Sequence, residues 1–303
     1  MVTKNAKSVH YLQVNNKVKE FFSPKGTVVL PSYQAWERFD WTRKLFGKKP
    51  KEGYFVWIKE QPKIPLTTCV SIASPRTSQS LLNLLVIEKN IKAKANVVCN
   101  ALKGNLCGSH RAEGKLILKE GASLDYIHNH QWGSEDFVSP NYQFILEKNS
   151  RLKYDYRNLF PPKTLELKTA IFNKESSSSS LNFVINGVNS KVKLEEKILL
   201  EGKDSQGILR LRLVGKENSQ ISARSTILAK ASGKGHLDCQ GLLVDDKSKI
   251  SLVPELICQN RQAQITHEAS IGRISEEELV YLRMRGLRES EAIDLIVNGF
   301  LDL

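Results

Sequence analysis

The chain has 303 residues, 41% of them hydrophobic and 25% charged, and carries a formal net charge of +13. Those fractions belong to an ordinary folded globular protein and exclude a disordered or fibrous chain. No stretch approaches the ~20 apolar residues of a membrane helix, and Met1 to Glu20 has scattered charges without the apolar core of a signal peptide, so the expected compartment is the cytoplasm.

In chain order, residues 1–66 place Tyr33, Trp36, Phe39, Trp41 and Phe46 at helix-like spacing ahead of Lys48, Lys49 and Lys51. Aromatics so spaced serve packing, and the segment reads as a small helical cap. From 67 to 270 one pattern recurs: an alternating apolar run, a short polar corner, another apolar run. The clearest corners are Val86–Ile91, Leu118–Leu124, Leu146–Leu152, Val214–Ile221 and Val244–Ile250. Copies that can be paired recur at roughly 25 to 33 residues, the length of one coil of several short strands in a solenoid. A coil cannot bury its inner face alone, so coils stack. The prediction is a parallel β-helix over 67–270, right-handed because strand crossovers take that hand. An antiparallel sandwich is the rival, using the same strands with turns every ~8–12 residues, and the repeated corner favours the helix. Ser176 to Ser180 reads as a solvated turn. In 271–303, Ser275-Glu276-Glu277-Glu278 forms a capping-box pattern, opening a helix that ends at Gly286; a second helix runs from Glu289 to Val297 and closes near Gly299. Such a short hairpin must pack on the body or on a partner.

The five cysteines, Cys69, Cys99, Cys107, Cys239 and Cys258, include no CxxC pair and read as free thiols. The basic charge raises a nucleic-acid-binding β-repeat protein as a reading, but lysines are spread along the chain beside acids, as in Glu195-Glu196-Lys197, and no basic helix or RNP motif occurs. His128 and His130 share a strand face by parity, a spacing that suits zinc or iron as well as packing. No GxxxxGK[ST], GxSxG or HExxH pattern occurs, so the chain is not expected to be an enzyme that hydrolyses ATP or peptides.

The segment His267-Glu268-Ala269-Ser270-Ile271-Gly272-Arg273-Ile274-Ser275-Glu276-Glu277-Glu278-Leu279-Val280-Tyr281-Leu282-Arg283-Met284-Arg285-Gly286-Leu287 strongly resembles the SufB/SufD signature of iron–sulfur cluster assembly scaffolds. The match continues through Glu291-Ala292 to Ile296-Val297-Asn298-Gly299-Phe300, in the SufB form. The resemblance implies a β-helix core with a C-terminal segment that docks a SufC-type ABC ATPase through Leu279, Tyr281, Leu282, Arg285 and Leu287. It implies that Cys239 and Glu268, with His267 beside them, hold a nascent, transient cluster at a subunit interface, Cys239 and Glu268 being the metal ligands. That interface would be a homodimer or a pairing with a SufD-like subunit. It further implies a sulfur entry at Cys99, Trp132 and His130, fed by a donor such as a cysteine desulfurase; the family's Gln-Asn-Trp is here His130-Gln131-Trp132, and Cys107 is the alternative to Cys99. A reduced flavin is admitted by the same resemblance. A SufD-like structural subunit, whose own cysteine is a spectator, is the alternative within the family. Soft thiolates with a carboxylate or imidazole suit a cluster that must later leave.

Overall fold

The computed structural model describes residues 10–303. In chain order the elements are β1 (Tyr11–Val14), β2 (Lys17–Phe21), β3 (Thr27–Pro31), α1 (Ser32–Arg38), α2 (Asp40–Phe46), β4 (Tyr54–Ile58), β5 (Leu66–Ile72), β6 (Ser78–Ile87), β7 (Lys92–Ala101), β8 (Ser109–Leu118), β9 (Ser123–Gln131), β10 (Phe137–Leu146), β11 (Arg151–Phe160), β12 (Thr164–Asn173), β13 (Ser178–Val188), β14 (Lys191–Leu200), β15 (Ser205–Lys216), β16 (Gln220–Ala229), β17 (Gly233–Leu243), β18 (Lys249–Cys258), β19 (Gln264–Arg273), α3 (Glu276–Met284) and α4 (Glu289–Leu301). Odd-numbered strands from β5 to β19 lie side by side in one parallel sheet, and even-numbered strands from β4 to β18 in the other. This is the expected parallel β-helix, with one difference: each coil is two long strands, one per sheet, rather than several short ones.

Alternation explains why these strands form and face as they do. In β12, Leu165, Leu167 and Ile171 are buried while Glu166 and Lys168 are exposed; period-2 patterning of this kind sends one set of side chains inward and the other to solvent. Register varies in coil length. Thr164 pairs with Lys191, an offset of 27 residues, whereas Ser78 pairs with Ser109, an offset of 31. The interior is filled by one continuous apolar cluster whose centre is aromatic: Tyr126, Tyr142, Phe144, Tyr154, Tyr156 and Phe183 are fully buried, each such side chain contributing roughly 1.5–3 kcal/mol by burial.

The corners that mark the sequence also bind coil to coil. Asn90, Gly121, Asn149, Ser176 and Asp204 adopt positive φ at equivalent places, and the backbone N–H of each donates to a carbonyl in the next corner, at 3.0, 2.9, 3.0, 2.8 and 2.7 Å to Glu120, Lys148, Glu175, Lys203 and Ser232. Lysines and glutamates at these corners pair across coils, as in Lys119–Glu147, Lys148–Glu175 and Lys174–Glu201. Part of the lysine content is therefore a surface ladder, each rung worth little alone. The Ser176–Ser180 run is not only a turn: Ser176 sits at a corner, Ser178 opens β13, and the Ser179 hydroxyl accepts a bond from Asn173 Nδ2 at 2.9 Å inside the core.

The two ends differ. Residues 1–66 were expected to be a helical cap; those of them within 10–66 instead supply four strands and two seven-residue helices, and 1–9 lie outside the described residues. β1 and β4 extend the two sheets in parallel, then β2 and β3 close their edges antiparallel. The helices fix their aromatics on the outer face of β4: Phe39 on Phe55 and Trp57, Trp41 on Trp57 with ring centroids 5.2 Å apart. At the other end β18 and β19 are sheet edges with no strand beyond them among the described residues. Neither buries a residue.

The terminal hairpin forms as expected, with two changes. Ser275 makes no side-chain cap bond; the box lies at the second helix, where Glu291 accepts from the Arg288 N–H at 2.8 Å and from its guanidinium at 2.6 Å. α4 also runs past Gly299 to Leu301, because Val297 and Leu301 pack on Val184, Val214 and Leu242 on the outer face of the odd-numbered sheet. Gly286, at φ +95°, does end the first helix.

Candidate functional site

At the uncapped end, Cys239 lies on β17 and points inward: it follows the buried Leu237 and is 1% exposed. β19 covers it in parallel register, pairing Leu237 with His267, Asp238 with Glu268 and Cys239 with Ala269. Gly241 meets Ile271, and Gly235 meets Ile265, on the inner face, so alternation puts His267 and Ala269 inward and Glu268 outward. Cys239 and Glu268, expected to act together, are thus on neighbouring strands but on opposite faces of the sheet. Of the adjacent His267 and Glu268, it is His267 that shares the face of Cys239, at a same-face diagonal of roughly 7–8 Å.

Behind Cys239 lies a polar cluster that sequence reasoning missed. Glu196 on β14 is inward and 2% exposed, and one carboxylate oxygen accepts from the Ser225 hydroxyl at 3.0 Å. Burial pushes its pKa up to about 8, Ser225 opposing only in part, so at neutral pH it is mainly protonated. Burial likewise raises the Cys239 thiol to about 11, against the pull of the Ser225 hydroxyl. The signal was present: Val192, Leu194, Ile198 and Leu200 alternate inward, and Glu196 falls in their row. On the outer face, Asp238 is held by both Arg212 guanidinium nitrogens at 3.0 and 2.7 Å, which keeps its carboxyl below the usual range, while Glu268 makes no ion pair among the described residues.

The expected sulfur-entry residues gather deep inside the β-helix. Cys99 on β7 pairs in register with His130 on β9, and both are buried with His128 and Trp132. Cys99 Sγ lies 3.6 Å from His128 Nε2, and the two Nε2 atoms of His128 and His130 are 2.9 Å apart. Burial raises the Cys99 thiol and lowers both imidazoles, His128 to about 3, leaving all three groups neutral. A buried, protonated thiol is a poor sulfur acceptor. Cys107 is the exposed thiol of this region, in the loop before β8 at φ +51°. Cys258, at the end of β18, is likewise exposed.

On the terminal hairpin, α3 buries no residue. Leu279, Leu282 and Leu287 are half-buried, whereas Tyr281 and Arg285 are exposed and joined, the guanidinium donating to the phenol oxygen at 3.2 Å and lying 5.2 Å from the ring centroid. Val280 is 50% and Met284 82% exposed. α3 thus presents apolar side chains that nothing within the described residues covers.

The family described as "SUF system FeS cluster assembly, SufBD core domain" matches residues 70–300, which runs from within β5 through β19 and on through α3 and all but the last residue of α4. The chain belongs to the SufBD core family. Among SufBD relatives, it is similar to an iron–sulfur cluster assembly SufBD family protein of Methanothermobacter thermautotrophicus strain Delta H, 30% identical over 83% of this chain and 62% of that one. It also resembles one of Archaeoglobus fulgidus, 28% identical over 99% of this chain and 86% of that one. The iron–sulfur cluster assembly protein SufB of Bacillus subtilis is 22% identical over 82% of this chain and 55% of that protein. The chain therefore spans about three fifths of the length of the Methanothermobacter SufBD relative. No helix among the described residues is long and apolar enough to cross a membrane.

Proposed function

We propose that this SufBD protein is a SufB-like scaffold that assembles a nascent iron–sulfur cluster at the uncapped end of its β-helix. The supporting observation is that Cys239 lies beneath one exposed edge strand, β19, with His267 on the same inner face. Unpaired edges ten residues long invite pairing with another chain, here a second copy or a SufD-like subunit. Iron binding displaces the Cys239 proton, giving the thiolate that a soft metal takes, and His267 supplies a weaker, releasable ligand. Glu268, on the outer face, serves iron approaching from the partner side. Since Cys239 is 1% exposed, β19 must move for the cluster to form. In this reading a SufC-type ATPase gripping α3 drives that movement, and the scaffold hydrolyses nothing itself. Sulfur from a donor such as a cysteine desulfurase enters at the exposed Cys107. The test is reconstitution with ferrous iron, sulfide and a SufC-type ATPase: Cys239→Ala should lose the cluster's visible absorption, and a normal cluster in that variant removes the assignment.

The opposed faces of Cys239 and Glu268 favour a second reading, a SufD-like subunit whose cysteine is structural. Complementation of a SufB-deficient strain separates the two: growth supports the scaffold, and failure of a well-expressed chain supports the structural subunit.

A further inference from the structure

The structure points to a second metal site, independent of the cluster-assembly reading: we propose that Cys99, His128 and His130 bind one thiophilic divalent cation, zinc or ferrous iron, in the interior of the β-helix. The three donor atoms lie within 4.8 Å of one another and all three residues are buried. Tetrahedral coordination at ~2.0–2.1 Å to nitrogen and ~2.3 Å to sulfur places nitrogen and sulfur ~3.6 Å apart and two nitrogens ~3.3 Å apart. The observed Cys99 Sγ to His128 Nε2 distance is 3.6 Å, and the Nε2 pair at 2.9 Å needs to open by only a few tenths of an ångström.

The surroundings orient both rings for this role. His128 Nδ1 faces the Tyr154 hydroxyl at 3.2 Å and His130 Nδ1 the Tyr156 hydroxyl at 3.0 Å. When each Nδ1–H donates to its phenol oxygen, both Nε2 lone pairs converge on the thiol, the arrangement that metal-binding histidines adopt. Without a cation, two lone pairs at that separation repel, and one ring must reverse its tautomer to donate to the other. A further donor stands alongside: His110, its ring centroid 6.1 Å from that of His130, uses Nδ1 on Gln79 Oε1 at 2.8 Å, while its buried Nε2 has no hydrogen-bond partner. Two imidazoles and one thiolate make a borderline-soft set that selects zinc or ferrous iron over magnesium or calcium.

The test is refolding of the full chain with excess zinc or cobalt(II), removal of loose metal, and measurement of metal content and the cobalt spectrum. A single retained equivalent is expected, with tetrahedral d–d bands and a thiolate-to-cobalt charge-transfer band. Cys99→Ser should lose the charge-transfer band, His130→Gln should bind roughly tenfold or more weaker, and Cys258→Ser, at an exposed thiol with no assigned role, should match the parent. If the histidine variant does not refold, Tyr156→Phe, which removes only the orienting hydroxyl, should still weaken binding roughly tenfold or more. Refolded parent protein with no tightly held metal, or a cobalt spectrum unchanged by Cys99→Ser, overturns the proposal.

Discussion

Replacing Glu196 by glutamine tests the reading of the inner face. The carboxyl is fully enclosed and its pKa is raised from 4.5 to about 8, while the unfolded chain titrates near the ordinary value. Below the unfolded pKa both states are protonated and the protein keeps its full stability. As pH rises the unfolded chain ionises first, and the folded state holds its proton until about 8, so stability is lost across that window and levels off above it. At ~1.4 kcal/mol per pKa unit the total is of order 5 kcal/mol, roughly 70% of it reached by pH 7. Glu196→Gln keeps an oxygen for the Ser225 hydroxyl and cannot ionise. Urea denaturation of parent and variant at a series of pH values from 5 to 9 should show the variant's relative stability growing by ~1.4 kcal/mol per unit up to pH ~8, then flat. A difference that does not change with pH would mean that Glu196 reaches water, and the inward assignment would be wrong.

Other consequences follow from packing and exposure. A Cβ at Gly114 would lie 2.2 Å from Cδ1 of the buried Tyr142 ring, so Gly114→Ala should cost about 1–3 kcal/mol or more, read as a lowered denaturant midpoint. Iodoacetamide followed by mass spectrometry should label Cys107 and Cys258 in the native protein, and Cys99 and Cys239 only after denaturation; rapid native labelling of Cys99 would contradict its burial. If the proposed docking holds, Met284→Glu should weaken capture of a SufC-type ATPase severalfold while leaving thermal stability unchanged, because Met284 is 82% exposed; unaltered capture would place the docking surface elsewhere.

The solenoid was legible because its corners recur: Leu118–Leu124 and Leu146–Leu152 are turns with positive φ at Gly121 and Asn149. The terminal helices were legible from their apolar stripes and Gly286. The N-terminal strands were not, since β1 to β4 are four or five residues long and the aromatics nearby carry a helical spacing. The faces of the candidate site were hidden for another reason. Cys239 and Glu268 are 29 positions apart, but the register offset from β17 to β19 is 30, and a one-residue difference reverses every side chain. Coil length in this fold varies, so parity across a coil cannot be read from separation alone. Glu196 was overlooked because Glu195 and Lys197 on either side of it are solvent-facing and disguise the inward row.

The ladder of corner hydrogen bonds has a mechanical corollary. In a structure where each turn is fastened only to the turns above and below, loosening begins wherever a turn has a single neighbour. One end is tied off by the antiparallel β2 and β3, so the other, carrying β18 and β19, is where the molecule should fray. Detaching one strand there, without disturbing the remaining coils, would bring a shielded sulfur to the surface, so a force applied at the C-terminal hairpin could act on a single latch.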